Sequence, residues 1–373
     1  MKRARRSIVW SCCVAMLAAG CGGDSPGSPT VEPTPASSAR ALNMTLRARV
    51  DLGALTGNPG ATSAGNWGYT HRDGRRFALT GTSLGTSIVE VTDARNPRNV
   101  AFVPGASSSW REIRTYGEYV YVTTEAQYGL DIISMRDPDR PQKVQTWSRT
   151  FRSAHSLWID VERGLLFANG ANGRTGGMRV LDLSNPEDPE EVGAWTGFYV
   201  HDSYTRGNTL YAAAINDGFL AVLDASNPSN IFEVTRFFTG GRFTHNAWTT
   251  RDGRYLFTTD ERQGRPLEGW DLLNPMAPRK VTEYIASPSS IPHNVLIDGD
   301  RLLVAHYTEG VHLLDIRNPE RPAVMGSYDT FTDTTCGSFP FCGVWGAYIF
   351  PGSNLIVASD MQGGLFVLEY TGS

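Results

Sequence analysis

One phrase recurs along this chain and limits what it can fold into: an apolar run, then Asp-x-x-Asn-Pro, then a second short alternating run. It appears at Asp93/Asn96/Pro97, Asp182/Asn185/Pro186, Asp224/Asn227/Pro228, Asp271/Asn274/Pro275 and Asp315/Asn318/Pro319, with a looser copy at Ser134/Asp137/Pro138. Successive prolines of the set lie 41 to 48 residues apart, and a truncated seventh copy closes the chain at residues 364–370. Asn or Asp before Pro starts a turn, and Pro removes a backbone donor, so a strand must stop there. A fixed period of about 40–50 residues is the signature of a repeat architecture.

Two further β-rich runs lie between these phrases, joined by Gly-Asp or Asp-Gly turns such as Gly299-Asp300, which signal hairpins. Each unit is therefore four strands, the size of a propeller blade. Helical periodicity is nearly absent. The expected fold is all-β: a seven-bladed β-propeller of four-stranded blades, whose innermost strands begin near Trp67, Arg111, His155, His201, His245, His293 and Trp345. The last blade has three strands of its own. The run Met44 to Leu52 is expected to supply the fourth and close the ring, which removes exposed strand edges.

The N-terminus obeys different rules. Lys2, Arg3, Arg5 and Arg6 precede an apolar run from Ile8 to Ala19, too short for a permanent membrane span. The stretch Leu17 to Cys21 resembles a bacterial lipobox, which implies that Cys21 becomes the lipidated first residue of the mature chain. The expected division is a signal peptide over residues 1–20, a Gly/Ser/Pro-rich anchored tether over 21–42 and the propeller over 43–373. Removing the signal takes away four basic and no acidic groups, leaving 30 basic against 38 acidic residues. That excludes nucleic acid as an expected partner, because phosphate binding needs a basic footprint. The expected partners are membrane lipid through Cys21 and a protein, glycan or small-molecule ligand, with the propeller itself monomeric. The expected location is an outer membrane, a cell surface or the periplasmic face of a membrane. Cys336 and Cys342, six apart in a Gly/Pro-containing loop of an exported chain, are expected to form a disulfide.

The Leu-Asp-x-x-Asn-Pro phrase resembles the LVIVD repeat of bacterial and archaeal surface propellers. Residues 108–112, 201–203, 244–246 and 363–368 are similar to the larger choice-of-anchor B family built from such repeats. Members of that family share the propeller and differ in how they attach to the surface. The resemblance implies a fold and a location, and brings no settled activity.

Aligning the blades on their hairpins brings a polar series into register: Arg111-Glu112, His155-Ser156, His201-Asp202, His245-Asn246, His293-Asn294 and Trp345-Gly346. Four histidines fall at one blade phase, at intervals of 46, 44 and 48 residues. The second strands end in Glu125, Asn169, Asn216 with Asp217, Asp260 with Glu261, His306 and Asp360, at the same end of the propeller. Three uses are open. Each histidine could cap a blade by hydrogen-bonding a polar partner. Arg111, Glu112, His155, His201, Asp202, His245, Asn246, His293, Asn294 and Trp345 could line a ligand-binding mouth. His201, His245, His293, His306, Asp260 and Glu261 could hold a divalent transition metal, which would permit a hydrolase or oxidase. The leading expectation is a surface-anchored binding module, and the alternative is the metal-dependent enzyme. His71 is expected to be solvated in its turn, and His312 to be a packing or surface residue. The tryptophans are expected in the inter-blade core, with Trp110 and Trp345 the candidates for a glycan platform. No serine or cysteine nucleophile is expected, since Gly-x-Ser-x-Gly is absent and Ser156 points away from its neighbour His155 on a strand.

Overall fold

The computed structural model describes residues 41–173, 176–331 and 341–372. The signal segment, most of the tether, Cys21 and Cys336 lie outside the described residues; Cys342 is buried.

Seven antiparallel sheets, six of four strands and one of five, make the blades of a propeller. The first is representative: Ser63–Thr70, Arg76–Thr82, Gly85–Glu90 and Arg98–Pro104 pair in order from the axis outward. The innermost strands of the others are Arg111–Tyr116, Ser156–Asp160, Asp202–Arg206, Thr244–Thr249, Val295–Asp298 and Val344–Ile349. Every inner hairpin contains one glycine with positive φ: Gly74, Gly117, Gly164, Gly207, Gly253, Gly299 and Gly352. Such turns need left-handed backbone, which costs a side-chain-bearing residue roughly 1–2 kcal/mol.

The recurring phrase works through two successive Asx turns. In the sixth blade the Asp315 carboxylate accepts from the backbone N–H of Arg317 at 2.9 Å, ending the third strand. The Asn318 side chain then accepts from the N–H of Glu320 at 3.2 Å, while its carbonyl accepts from Arg321. The fifth blade repeats this with Asp271 to Leu273 and Asn274 to Met276. The side chains thus satisfy backbone donors where the ladder stops.

The ring closes as expected. Met44–Val50 runs antiparallel to Gly364–Tyr370, with Met44 opposite Tyr370 and Val50 opposite Leu365. The strand stops short of Leu52, because Asp51 caps a short helix, Leu52–Thr56, by accepting from the N–H of Ala54. Ala41 and Leu42, within the segment expected to be tether, pair with Tyr328 and Ser327 on the sixth blade. The N-terminal segment therefore holds the sixth and seventh blades together.

Apolar side chains fill the space between neighbouring blades, as where Phe77, Leu79 and Ile88 meet Ile113, Val120 and Val122. Polar side chains near the axis link each innermost strand to the adjacent blade. Asn246 donates to Asp202 at 2.6 Å and accepts from the N–H of Val295, and Asn66 donates to the Val357 carbonyl. The first blade corrects one expectation. Asn66 pairs opposite Thr80 as Asn246 does opposite Thr259, so Gly65, not Trp67, occupies the crown position. A Cβ at Gly65 would lie 2.6 Å from the Arg111 carbonyl oxygen, leaving room for no side chain there.

Candidate functional site: a histidine ladder at the channel mouth

The start of each innermost strand lies at one end of the central channel, and there the imidazoles stack side by side. Ring centroids are 4.1 Å apart for His155 and His201, 4.5 Å for His201 and His245, and 4.2 Å for His245 and His293. Trp345 and Tyr307 continue the row at 4.9 and 4.7 Å from His293. The series read from blade phase is thus one continuous surface.

The members differ in their hydrogen bonds. His155 Nδ1 lies 2.7 Å from Glu125 Oε1 of the preceding blade. His293 Nδ1 bonds the Trp345 carbonyl oxygen. A carbonyl can only accept, so that nitrogen carries the proton and Nε2 carries the lone pair of the neutral ring. His201 and His245 are 7% and 4% exposed, and the Nδ1 of each makes no hydrogen bond of normal geometry, its contact with the backbone of the next histidine being weaker than that of His293 with Trp345. The outer members of the ladder cap their blades with full hydrogen bonds, whereas the central two have at most a weak contact with the next blade's backbone.

Glu261 follows the second strand of the fifth blade, Tyr255–Asp260, and reaches under the ladder. Its Oε2 is 3.9 Å from His245 Nε2, and its Oε1 is 3.7 Å from His293 Nε2. Tyr307 donates its hydroxyl to Oε1 at 2.5 Å. Donor atoms of His201, His245 and Glu261 all lie within 4.8 Å of one another.

Burial sets the protonation states. It drives the pKa values of His201 and His245 well below the ordinary histidine value, helped by the charges of neighbouring histidines. Burial lowers His293 to about 3 despite its bond to Trp345. For His155, burial also lowers the pKa, but the hydrogen bond and charge of Glu125 outweigh it and the net shift is upward. Burial pushes Glu261 up to about 7, against the hydrogen bond of Tyr307 and the charge of His155. At neutral pH the mouth thus presents three uncharged imidazoles, each able to offer a lone pair, around one carboxyl group.

Several expected members stand elsewhere. Arg111 is 1% exposed and donates to the carbonyls of Thr82 and Ala106, so it clamps the first two blades and offers a ligand nothing. Asp260 accepts from Thr239 Oγ1 and from the N–H groups of Gly241 and Phe243, which turns it into its own loop. His306 packs 4.9 Å from His312, outside the ladder, and neither of its ring nitrogens has a partner. Asp202 and Asn246 bond each other, and Glu112 accepts from Trp345 Nε1 at 3.0 Å. Trp345 is therefore held in the wall, 3% exposed, and is no free platform. Asn294 Nδ2 lies 3.4 Å from the Trp345 carbonyl. His71 is buried rather than solvated, with Nδ1 2.9 Å from Asp73.

Two features escaped the sequence reading. Tyr307 has no repeat equivalent to mark it, although its φ of 46° singles it out in the structure. At the other end of the channel, Trp67, Arg114, Trp158, Trp248, Leu296 and Tyr348 line a cavity of 330 Å³. A signal was present: Arg114, Trp158, Trp248, Leu296 and Tyr348 each follow their crown residue by three positions.

A fold of seven such sheets, with its inner-strand residues turned into a shared channel, defines a β-propeller of the repeat type. The LVIVD repeat model matches residues 204–239 and 292–330, in the fourth and sixth blades, so the chain carries LVIVD repeats. Comparison with curated proteins finds no match. Among solved structures, a protein from Lactobacillus plantarum is similar at 13% identity and a TM-score of 0.60, over 80% of this chain and 88% of its own. A putative 6-phosphogluconolactonase from Bacteroides fragilis is similar at 10% identity and a TM-score of 0.56, over 80% and 86%. Likeness at such identities speaks for the propeller fold alone.

Proposed function

We propose that this chain is an exported, lipid-anchored surface propeller that binds a ligand at the histidine-lined mouth of its channel. The observation that carries the reading is the row of four closely packed imidazoles beside the buried Glu261 carboxyl, whose central pair, His201 and His245, have Nδ1 atoms without a hydrogen bond of normal geometry. A buried polar atom without a partner costs about 1–3 kcal/mol. His306 shows that the fold tolerates such atoms singly; His201 and His245 differ in sharing one mouth with the Glu261 carboxyl. Retaining them fits a face kept ready for a ligand. The basic and apolar leader, Cys21 and the polar tether support anchoring outside the cytoplasm, as in the choice-of-anchor B propellers that the repeats resemble.

Two measurements test this. Metabolic labelling with a fatty-acid probe should mark the wild-type chain and leave Cys21→Ala unmarked. Screening the purified chain against glycan and peptide arrays should yield a ligand whose binding is lost in the His201→Ala/His245→Ala double variant. Retention of full binding in that folded variant would place the binding face elsewhere.

A further inference from the structure

We propose that His201, His245, His293 and Glu261 bind one divalent transition-metal ion at the channel mouth, and that this ion is the group through which the mouth takes its ligand. The second half rests on the binding function proposed above; the first stands on geometry.

The two carboxylate oxygens of Glu261 face two imidazole nitrogens, at 3.7 Å for His293 Nε2 and 3.9 Å for His245 Nε2. Both separations are too long for hydrogen bonds. With Nδ1 of His293 committed to the Trp345 carbonyl, its Nε2 turns a bare lone pair toward a carboxylate oxygen. The ionised carboxylate and the neutral imidazoles all present lone pairs to one point, which a cation would occupy in place of the proton that Glu261 otherwise takes up. A zinc-type ion with bonds of about 2.0–2.2 Å sets neighbouring tetrahedral donors roughly 3.3–3.6 Å apart. The observed separations are a few tenths of an ångström wider, so small side-chain movements complete the site.

The surroundings have the form that supports metal ligands. His293 donates its other ring nitrogen to a backbone carbonyl, which fixes its tautomer and orientation. Glu261 is itself hydrogen-bonded by Tyr307, whose ring packs 4.9 Å from Phe341 and 4.7 Å from His293. His201 shares a 4.8 Å group with His245 and Glu261, without His293, and swings inward to complete the shell. Three imidazoles and one carboxylate suit zinc, copper, iron or nickel and disfavour calcium or magnesium, which seek all-oxygen shells.

The test is titration of the chelator-free full chain with cobalt(II) alone, read by its visible ligand-field bands and by elemental mass spectrometry after desalting. One equivalent should bind, zinc should displace it, and magnesium should not. Uptake should fall at least tenfold in His245→Ala and in the near-isosteric Glu261→Gln. The folded state of each variant is checked by its far-ultraviolet spectrum, and Glu261→Gln remains informative if His245→Ala fails to fold. No uptake by the wild type overturns the inference, as does uptake that Glu261→Gln leaves unchanged. Because cobalt is measured without any ligand, metal uptake alongside empty ligand screens would sink only the ligand half. A ligand that binds the metal-free chain as tightly as the loaded one would sink the coupling between them.

Discussion

Acid should weaken this fold through a residue beside the histidine ladder but outside it, and one substitution should remove part of that weakness. His306 is 0% exposed, packs against His312 and Tyr284, and has both ring nitrogens buried and unpartnered. Burial, followed by the charge of His312, holds its pKa well below the ordinary value. In the unfolded chain the ring titrates near 6.5. Stability from a neutral His306 is therefore complete above about pH 6.5 and is lost as pH falls, because the unfolded state takes up a proton that the fold refuses. At pH 5, about 1.5 pH units below the unfolded value, the loss is at most about 2 kcal/mol at about 1.36 kcal/mol per unit. His306→Leu removes the titration and two unsatisfied polar atoms at similar volume. Equilibrium urea unfolding followed by tryptophan fluorescence should find the variant no less stable than wild type at pH 7.5. At pH 5 its relative advantage should have grown, by at most about 2 kcal/mol. The buried histidines of the ladder titrate in both proteins and cancel in the difference, and a parallel His312→Leu pair removes the contribution of the one histidine that touches His306. A wild-type-to-variant difference independent of pH between 7.5 and 5 would refute the reasoning.

Other outcomes follow from single contacts. Gly65→Ala forces a Cβ to 2.6 Å from the Arg111 carbonyl oxygen and should cost about 1–3 kcal/mol, seen as a lower urea midpoint. Arg111→Met strips the donors from the Thr82 and Ala106 carbonyls and should destabilise by about 1–3 kcal/mol per acceptor left buried, while cobalt uptake at the mouth stays intact. Glu125→Gln keeps an acceptor but removes the charge that helps raise the His155 pKa, so the histidine resonance should titrate at lower pH. An unchanged titration would show that Glu125 does not govern that ring.

The N-terminal closure extends the same logic to the whole ring. Met44–Val50 completes the seventh blade, and Ala41 and Leu42 reach the sixth. A chain lacking residues 41–50 leaves the edge of Gly364–Tyr370 unpaired, and limited proteolysis should cut that blade first.

Much of this molecule was legible in its sequence because its information is local and repeated. Asp-x-x-Asn-Pro encodes two Asx turns within seven residues, and a glycine encodes each inner hairpin, so blade number and strand order follow without tertiary knowledge. The equal blade phase of His155, His201, His245 and His293 was readable for the same reason, and the structure places them in one row. What each polar group does was not readable. Arg111 and Asp260 share the phase of the crown, but one lies along carbonyls of the neighbouring blade and the other folds back onto its own loop. Adjacent residues such as Asp260 and Glu261 point to different partners, and only packing chooses between them. Tyr307 lies in one blade alone, so no periodicity could mark it; its place over Glu261 depends on a left-handed backbone between the second strand and the loop. Repetition along the chain determined the ring and its histidines, whereas contacts between blades, absent from any single repeat, decided which of them were left open.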